Sequence, residues 1–199
     1  MRYCNQILKA LLACFIVFNT AYALQEDKIL SIMTDKINKA TQILQNQHMD
    51  KNHKQKDIFD IFDAVFDYEL MAKLSLGKQW NMLESQQQKL FTQSFEQRLK
   101  ASYIDKLYLY TNQKIIVKDM IKPKDNRIEV IMHILGEKET FEVIYKFYKS
   151  GTSDWFIYDV NILGISIIQT YRNQFVGVLQ KETFEELIQR LNKVEAVIK

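Results

Sequence analysis

Asp159 is the residue of this sequence best placed to perform acid–base chemistry. It lies in a largely apolar stretch, residues 155–162, where an unpaired carboxylate is costly to bury. Arg172, in the segment that follows, is a natural partner, and an ion pair between the two would lock neighbouring elements together. Alternatively, Asp159 beside Tyr158 serves as a general base in an apolar pocket, as in small cone-shaped isomerases.

The other residue types that support catalysis or metal binding are poorly arranged. His48 and His53 are farther apart than ligand pairs on a helix, and His133 falls inside a predicted strand. Residues 164–166 (Gly-Ile-Ser) match the first half of a nucleophile elbow, but Ile168 stands where the second glycine is required. The sequence contains no phosphate-binding loop and no dinucleotide fingerprint. We therefore predict no catalytic residue, no metal site and no cofactor, and a protein that is not an enzyme.

The N-terminus has the organisation of a secretory signal peptide. Arg2 and Lys9 supply positive charge, residues 10–18 are apolar, and the triplet Ala-Tyr-Ala that ends at Ala23 is a small-residue cleavage site. The apolar run is too short to span a bilayer, which needs about 20 residues. We predict cleavage after Ala23 and export from the cytoplasm. The alternative is a lipoprotein signal, because Cys14 follows Leu-Leu-Ala.

Removal of residues 1–23 changes the composition of the chain. Cys4 and Cys14 are its two cysteines, so the predicted mature part, residues 24–199, contains no thiol for disulfides, metals or nucleophilic catalysis. The 27 basic residues fall to 25 against 24 acidic ones, and this near balance gives no electrostatic basis for binding nucleic acid. The remaining length suits a single domain with a hydrophobic core.

Hydrophobic periodicity predicts helices, then a run of strands, then helices. The short connections between the strands favour an antiparallel meander. This order predicts an α+β fold, with a twisted antiparallel sheet of about four strands packed by N-terminal and C-terminal helices around an apolar cavity. The predicted helices cover residues 26–45, 58–80, 85–107, 167–178 and 183–192, and the predicted strands cover 114–120, 127–135, 140–148 and 155–162.

Three helix starts have a sequence signature of their own. Ser85, Ser166 and Thr183 are each followed three positions later by Gln or Glu, which is the pattern of a capping box. The polar stretch 45–56 contains little apolar sequence, and we predict a surface loop or a frayed helix end there.

The distribution of large apolar residues indicates more than a self-filling core. Residues 155–175 form a strand, a glycine turn and an amphipathic helix with apolar side chains on both faces. The predicted helix 85–107 carries large side chains along one stripe: Leu90, Phe91, Phe95 and Leu99, with Tyr103 beyond them. We expect a cavity that takes an apolar ligand.

Several blocks of the sequence resemble one family. Residues 155–175 contain Trp-aromatic-x-Tyr-Asp-Val, Gly-x-Ser and Tyr-Arg-x-Gln-Phe, and residues 66–80 contain Phe-Asp and Leu-Gly-x-x-Trp. Residues 91–103 follow the spacing Phe-x3-Phe-x3-Leu-x3-Tyr. In this order the blocks resemble the MlaC family, the periplasmic phospholipid carriers also called toluene-tolerance auxiliary proteins. One departure is at residues 83–85, where many members have a proline before the long helix.

The resemblance implies a lipid carrier in the periplasm. Acyl chains would lie between sheet and helices with the headgroup exposed. The partners would be an outer-membrane lipoprotein complex and an inner-membrane ABC transporter with a lipid-binding MCE component. Arg172 or Tyr171 would lie near the phosphate, unless Arg172 is occupied by Asp159. The apolar side chains expected to line the site are Phe66, Phe91, Phe95, Leu99, Val130, Met132, Val143, Tyr145, Phe147, Ile167, Ile168, Tyr171 and Phe175.

Two other functions are compatible with the same residues. One is a small isomerase or hydratase on a cone-shaped sheet, with Asp159 as the general base. The other is a periplasmic adaptor or chaperone that holds an apolar segment of a partner protein.

Overall fold

The helices come before and after a single run of strands, as the sequence predicts. A computed structural model describes residues 24–107, 113–136, 139–151 and 153–193, and the predicted signal peptide with its two cysteines lies outside these ranges. Short 3-10 helices cover Glu26–Lys28, Asp63–Val65 and Gly77–Met82. In chain order the remaining elements are α1 (Ile29–Gln45), α2 (Lys51–Phe62), α3 (Tyr68–Leu76), α4 (Ser85–Leu107), β1 (Lys114–Lys124), β2 (Arg127–Leu135), β3 (Thr140–Ser150), β4 (Asp154–Ile162), β5 (Ile165–Ser166), α5 (Ile167–Leu179) and α6 (Phe184–Asn192).

The sheet is an antiparallel meander in which each strand pairs with the next, in the order β1-β2-β3-β4-β5. The prediction of an α+β fold is confirmed, but the sheet has a fifth strand that the sequence did not reveal. Strand β5 has only two residues, too few for any periodicity to show. It pairs with β4 across a tight turn in which Leu163 and Gly164 have φ of 53° and 82°. Positive φ at both turn residues matches the right-handed twist of paired strands.

One face of the sheet is covered by helices. In β2 every second residue is buried, namely Ile128, Val130, Met132 and Ile134, while the residues between them are half-buried. Helix α1 packs against β1, whereas α3 and α5 pack against β4. Helix α1 therefore covers the β1 side of this inner face, and α3 and α5 cover its β4 side.

A bulge in β4 changes which residues face the helices. Lys146 pairs with Asp159 but the next residue of β3, Phe147, pairs with Ile157, so β4 has one extra residue at Tyr158. Strict alternation from Ile157 would place Asp159 on the inner face. The bulge instead places Val160 there, opposite Tyr145.

The predicted helix 58–80 is two helices, α2 and α3, with a short 3-10 turn between them, and the ends of α2 and β1 also differ from the prediction. Helix α2 begins at Lys51, because the Asp50 carboxylate accepts hydrogen bonds from the backbone N–H groups of Asn52 and His53. Most of the polar stretch 45–56 is therefore helical. Strand β1 continues to Lys124 through a proline, which an edge strand tolerates because one of its sides has no pairing partner.

Two of the three predicted capping residues, Ser166 and Thr183, start helices as expected. The Ser166 hydroxyl accepts from Gln169 N at 3.0 Å, and Thr183 and Glu186 form a reciprocal capping box. The prediction of a capping box at Ser85 was wrong, because Ser85 is already the first residue of α4. Its predicted partner Gln88 instead donates from its side chain to the carbonyl oxygen of Trp80 at 3.0 Å.

Candidate functional site

An apolar cavity of ≈ 250 Å³ lies between the inner face of the sheet and helices α1 to α4. Its border consists of aliphatic and aromatic side chains, with a few hydroxyl groups and one charged residue among the described residues. The bordering residues are Ile37, Ala40, Thr41, Leu44, Ile58, Phe59, Phe62, Phe66, Tyr68, Met71, Leu99, Lys100, Tyr103, Ile115, Met132, Ile134, Phe141, Val143, Tyr145, Val160, Ile162, Leu163 and Ile167. Such a space favours an apolar ligand over a polar one.

Aromatic rings form much of the cavity wall. The Phe62 and Tyr145 rings stack at 6.4 Å between centroids, and Phe66 stacks on Tyr68 at 5.5 Å. Burial raises the pKa of Tyr145 to about 12, and burial together with nearby Tyr171 and Asp159 does the same for Tyr103. Both phenols are therefore neutral at physiological pH, and the wall gains no charge from them.

The structure divides the thirteen apolar residues that the sequence singled out into two groups. Six border the cavity: Phe66, Leu99, Met132, Val143, Tyr145 and Ile167. The other seven do not border it and lie in filled core: Phe91, Phe95, Val130, Phe147, Ile168, Tyr171 and Phe175. Which of them contact a ligand stays a prediction, and the geometry favours the first group.

The filled part of the core is a cluster of aromatic rings between α4 and α5. Phe95 is fully buried and lies 5.2 Å from Tyr171, 6.0 Å from Phe91 and 6.2 Å from Phe175, measured between ring centroids. Phe91 also contacts the Trp80 ring at 6.4 Å. These rings occupy the space between the two helices, so Phe91 and Phe95 stabilise the fold rather than enclosing a void, whereas Leu99 of the same stripe borders the cavity.

Sequence reasoning did not name the side chains of α1 and α2 that border the cavity. The signal in α1 was present, since Ile37 and Leu44 belong to its apolar stripe and Ala40 lies between them. The signal in α2 was masked, because its first two turns are polar and only Ile58 is buried in that helix. The first half of α2 therefore resembles a loop in sequence, whereas its cavity residues Ile58, Phe59 and Phe62 lie in the part that was predicted to be helical.

A polar cluster adjoins the cavity where α4 passes the Asp63–Val65 turn. Lys100 Nζ donates to Asp63 Oδ2 and to Glu96 Oε1, both at 2.7 Å, and the Tyr68 hydroxyl donates to Asp63 Oδ1 at 2.8 Å. Burial lowers the pKa of Lys100, but the hydrogen bonds to the two carboxylates and their charges outweigh it, so that the pKa is raised overall. Burial and the bond to Asp63 raise the pKa of Tyr68 far above its usual range. Lys100 is thus a cation and Tyr68 a neutral donor at physiological pH.

The predicted ion pair between Asp159 and Arg172 is absent. The Asp159 carboxylate accepts from the Ser166 hydroxyl at 2.8 Å and from Ile168 N at 3.2 Å, and Lys146 Nζ lies 3.9 Å away. The carboxylate thereby anchors the start of α5 to β4.

Arg172 donates hydrogen bonds to the backbone at the end of α3. Its Nε donates to the Leu74 carbonyl oxygen at 2.8 Å, and its Nη2 donates to the same oxygen. This carbonyl lies in the last turn of α3, where no helical N–H remains to bond it. The residue after the helix, Gly77, has φ of 59°, and a Cβ there would contact the guanidinium at 3.7 Å. Arg172 is therefore a structural link between α3 and α5, and its expected place near a phosphate stays a prediction.

Replacing Asp159 with Ala is expected to lower the free energy of unfolding by about 2–3 kcal/mol, because the buried Ile168 N–H loses its acceptor. Asp159→Asn keeps one acceptor oxygen and should lose about 1 kcal/mol. Urea unfolding followed by tryptophan fluorescence measures both. Asp154→Ala is the matched control, since Asp154 begins the same strand and, among the described residues, its carboxylate accepts only from the exposed Ser153 hydroxyl. Equal losses at the two positions would contradict the anchoring role.

The chain is similar to proteins of one known family. The family model described as MlaC protein matches residues 34–193 of the chain. The chain belongs to the MlaC family. Over 193 residues it is 24% identical to the intermembrane phospholipid transport system binding protein MlaC of Haemophilus influenzae, an alignment that covers 94% of this chain and 90% of that protein.

A solved structure shares the fold of this MlaC family member. The phospholipid-binding protein from Ralstonia solanacearum, determined in complex with a phospholipid, superposes with a TM-score of 0.72 at 21% sequence identity. The match covers 82% of this chain and 94% of that one. In the part of the chain that the structure describes, no helix is long and apolar enough to cross a bilayer, and no group of three His, Cys, Asp or Glu side chains could hold a metal.

Proposed function

We propose that this MlaC family member is a periplasmic phospholipid carrier. It holds acyl chains in the apolar cavity and shuttles lipid between an outer-membrane lipoprotein complex and an inner-membrane ABC transporter that contains an MCE component. The observation that carries the proposal is the hollow of ≈ 250 Å³ on the inner face of the sheet, with Lys100 as the one charged residue on its border among the described residues. The names of the two relatives, one a phospholipid transport protein and one solved with phospholipid, support it.

The physical task of such a carrier is to replace water around the acyl chains. A phospholipid has about 30 chain methylenes, and their exposure to water costs roughly 24 kcal/mol at about 0.8 kcal/mol each. The carrier must offset most of this by surrounding the chains with apolar side chains. It needs no base, nucleophile or metal for the task, and the polar groups of Asp159 and Arg172 serve the fold instead.

Loading a two-chain lipid widens the cavity. Its volume of ≈ 250 Å³ is below the roughly 300–1,000 Å³ of typical ligand sites. We expect α2 and the second half of α1 to move, because Ala40, Leu44 and Ile58 form a small apolar cluster between them, apart from the main core. We expect amide hydrogen exchange in α2 and the second half of α1 to slow when lipid is bound.

Native mass spectrometry of protein secreted with its own N-terminus tests the proposal. The expected spectrum shows a chain that starts at residue 24 and a bound mass equal to one phospholipid. Delipidated protein should recover lipid from vesicles of phosphatidylethanolamine and phosphatidylglycerol. Protein that neither copurifies with phospholipid nor takes any up would disprove the proposal.

The same experiment separates the other two functions. A copurifying peptide in place of lipid would favour an adaptor or chaperone. An isomerase with Asp159 as its base requires that Asp159→Asn abolish turnover, whereas the carrier requires that this variant take up lipid normally. The geometry favours the carrier, because the Asp159 carboxylate accepts from Ser166 and Ile168 and does not border the cavity.

A further inference from the structure

The polar cluster at the cavity border joins the apolar interior to solvent. The side chain of Lys100 is 17% exposed, whereas its partners Asp63 and Glu96 are 39% and 33% exposed. Lys100 borders the cavity and the two carboxylates do not. The cation therefore lies on the cavity side of the cluster, and the anions lie on the solvent side.

The polar cluster can form more hydrogen bonds than those between its own members. An ammonium group has three N–H donors, and the bonds of Lys100 to Asp63 and Glu96 use one each. The Glu96 carboxylate accepts this bond through Oε1, and each carboxylate oxygen has room for more than one donor. The Phe59 and Tyr68 rings, whose centroids are 5.2 and 4.8 Å from Lys100 Nζ, hold the cation in place.

We propose that Lys100, Asp63 and Glu96 bind the headgroup of a zwitterionic phospholipid that carries a primary ammonium group. The phosphodiester oxygen accepts from Lys100, and the lipid ammonium donates to Glu96 and Asp63. This inference rests on the proposed function, since it concerns a lipid whose chains fill the cavity beside Lys100.

The charges of the cluster select between headgroups. One cation and two carboxylates leave an excess of one negative charge. A zwitterionic headgroup adds no net charge and can pair with both signs. A headgroup such as phosphatidylglycerol adds a second negative charge and has no cation for the carboxylates, so that it is repelled by the same groups that attract an ammonium.

A competition between two lipids tests the selection. Delipidated protein is incubated with vesicles that contain equal amounts of phosphatidylethanolamine and phosphatidylglycerol with identical acyl chains, and native mass spectrometry gives the ratio of bound species. The wild type should bind phosphatidylethanolamine roughly five-fold more, the ratio expected for a partly exposed charge pair. The Asp63→Asn, Glu96→Gln double variant should lose this preference, because it keeps only the Lys100 cation, which contacts the phosphate that both lipids carry.

Variants of Lys100 and a matched lysine test the phosphate contact. Lys100→Gln should lower the amount of both lipids bound, and Lys100→Arg should restore it. Lys89→Gln, at an exposed lysine of the same helix, should behave as the wild type. Thermal unfolding of each variant shows whether a change in binding reflects loss of folded protein, and the arginine variant decides the question if the glutamine variant is unstable.

Each contrary result has a distinct meaning. Equal binding of the two lipids by the wild type, or an unchanged ratio in the double variant, would overturn the headgroup assignment while leaving the carrier function intact. Complete absence of lipid from the wild type would disprove the carrier function itself. Soluble glycerophosphoethanolamine should fail to compete at the lipid concentration, because it lacks the chains; effective competition would identify a free phosphoester as the ligand and overturn the lipid assignment.

Discussion

The Val143→Trp variant is expected to fold and to lose bound phospholipid. Val143 lies in the middle of the inner face, opposite Met132 on one neighbouring strand and Ile162 on the other, and all three border the cavity. The indole would occupy space that acyl chains need. Displacement of about three methylenes at roughly 0.8 kcal/mol each weakens binding by roughly 50-fold.

Lipid uptake and unfolding must both be measured for this variant. Native mass spectrometry after incubation with vesicles gives the bound fraction, and urea unfolding of delipidated protein gives the stability. Val176→Trp is the control, because Val176 is 45% exposed on α5 and should tolerate the ring without effect on either measurement. Normal uptake by a folded Val143→Trp protein would show that the chains lie elsewhere.

Phe95→Ala is expected to lower the free energy of unfolding by about 3–5 kcal/mol, the range for removal of a buried ring from a filled core. Phe66→Ala should lower it by only about 1–2 kcal/mol. Phe66 faces the cavity, so part of its surface has no packing partner to lose. Both side chains are phenylalanines that the sequence placed in the same lining, which makes the comparison direct.

Denaturation of the delipidated proteins in urea measures the two losses, and lipid uptake by the folded fraction provides the complementary measurement. Phe66→Ala should reduce uptake, whereas Phe95→Ala should leave the uptake of its folded fraction unchanged. If the two substitutions destabilise equally and both impair uptake, the division between filled core and cavity wall is wrong.

Much of the architecture was accessible from the sequence because local signals decide it. Alternation of apolar residues over 127–135 and 140–148 predicted two strands and their inner faces, and short connections predicted the meander. Ser166 and Thr183 predicted helix starts through hydrogen bonds that span three residues. These interactions join neighbours in the chain, so their pattern can be read from residue order alone.

Failures of prediction had equally specific causes. Asp159 was expected to pair with Arg172 because a carboxylate in an apolar strand needs a partner, but the Ser166 hydroxyl and the Ile168 N–H supply it instead. Residues 51–56 of α2 were predicted to be a loop or a frayed helix end, because a polar helix start resembles a loop in sequence. The cluster of Lys100 with Asp63 escaped notice because 37 positions separate the two residues in the chain.

The fold class, the strand order and most of the inward-facing side chains could be predicted from residue order, since each depends on periodicity and on contacts between chain neighbours. Only the tertiary structure decided where those inward faces meet and where they stand apart. Phe95 and Phe66 are both large and apolar, yet rings from α5 fill the space around one, and a hollow borders the other. Periodicity specifies the direction of a side chain but not the distance to the opposite wall, which depends on how the helices pack across the sheet.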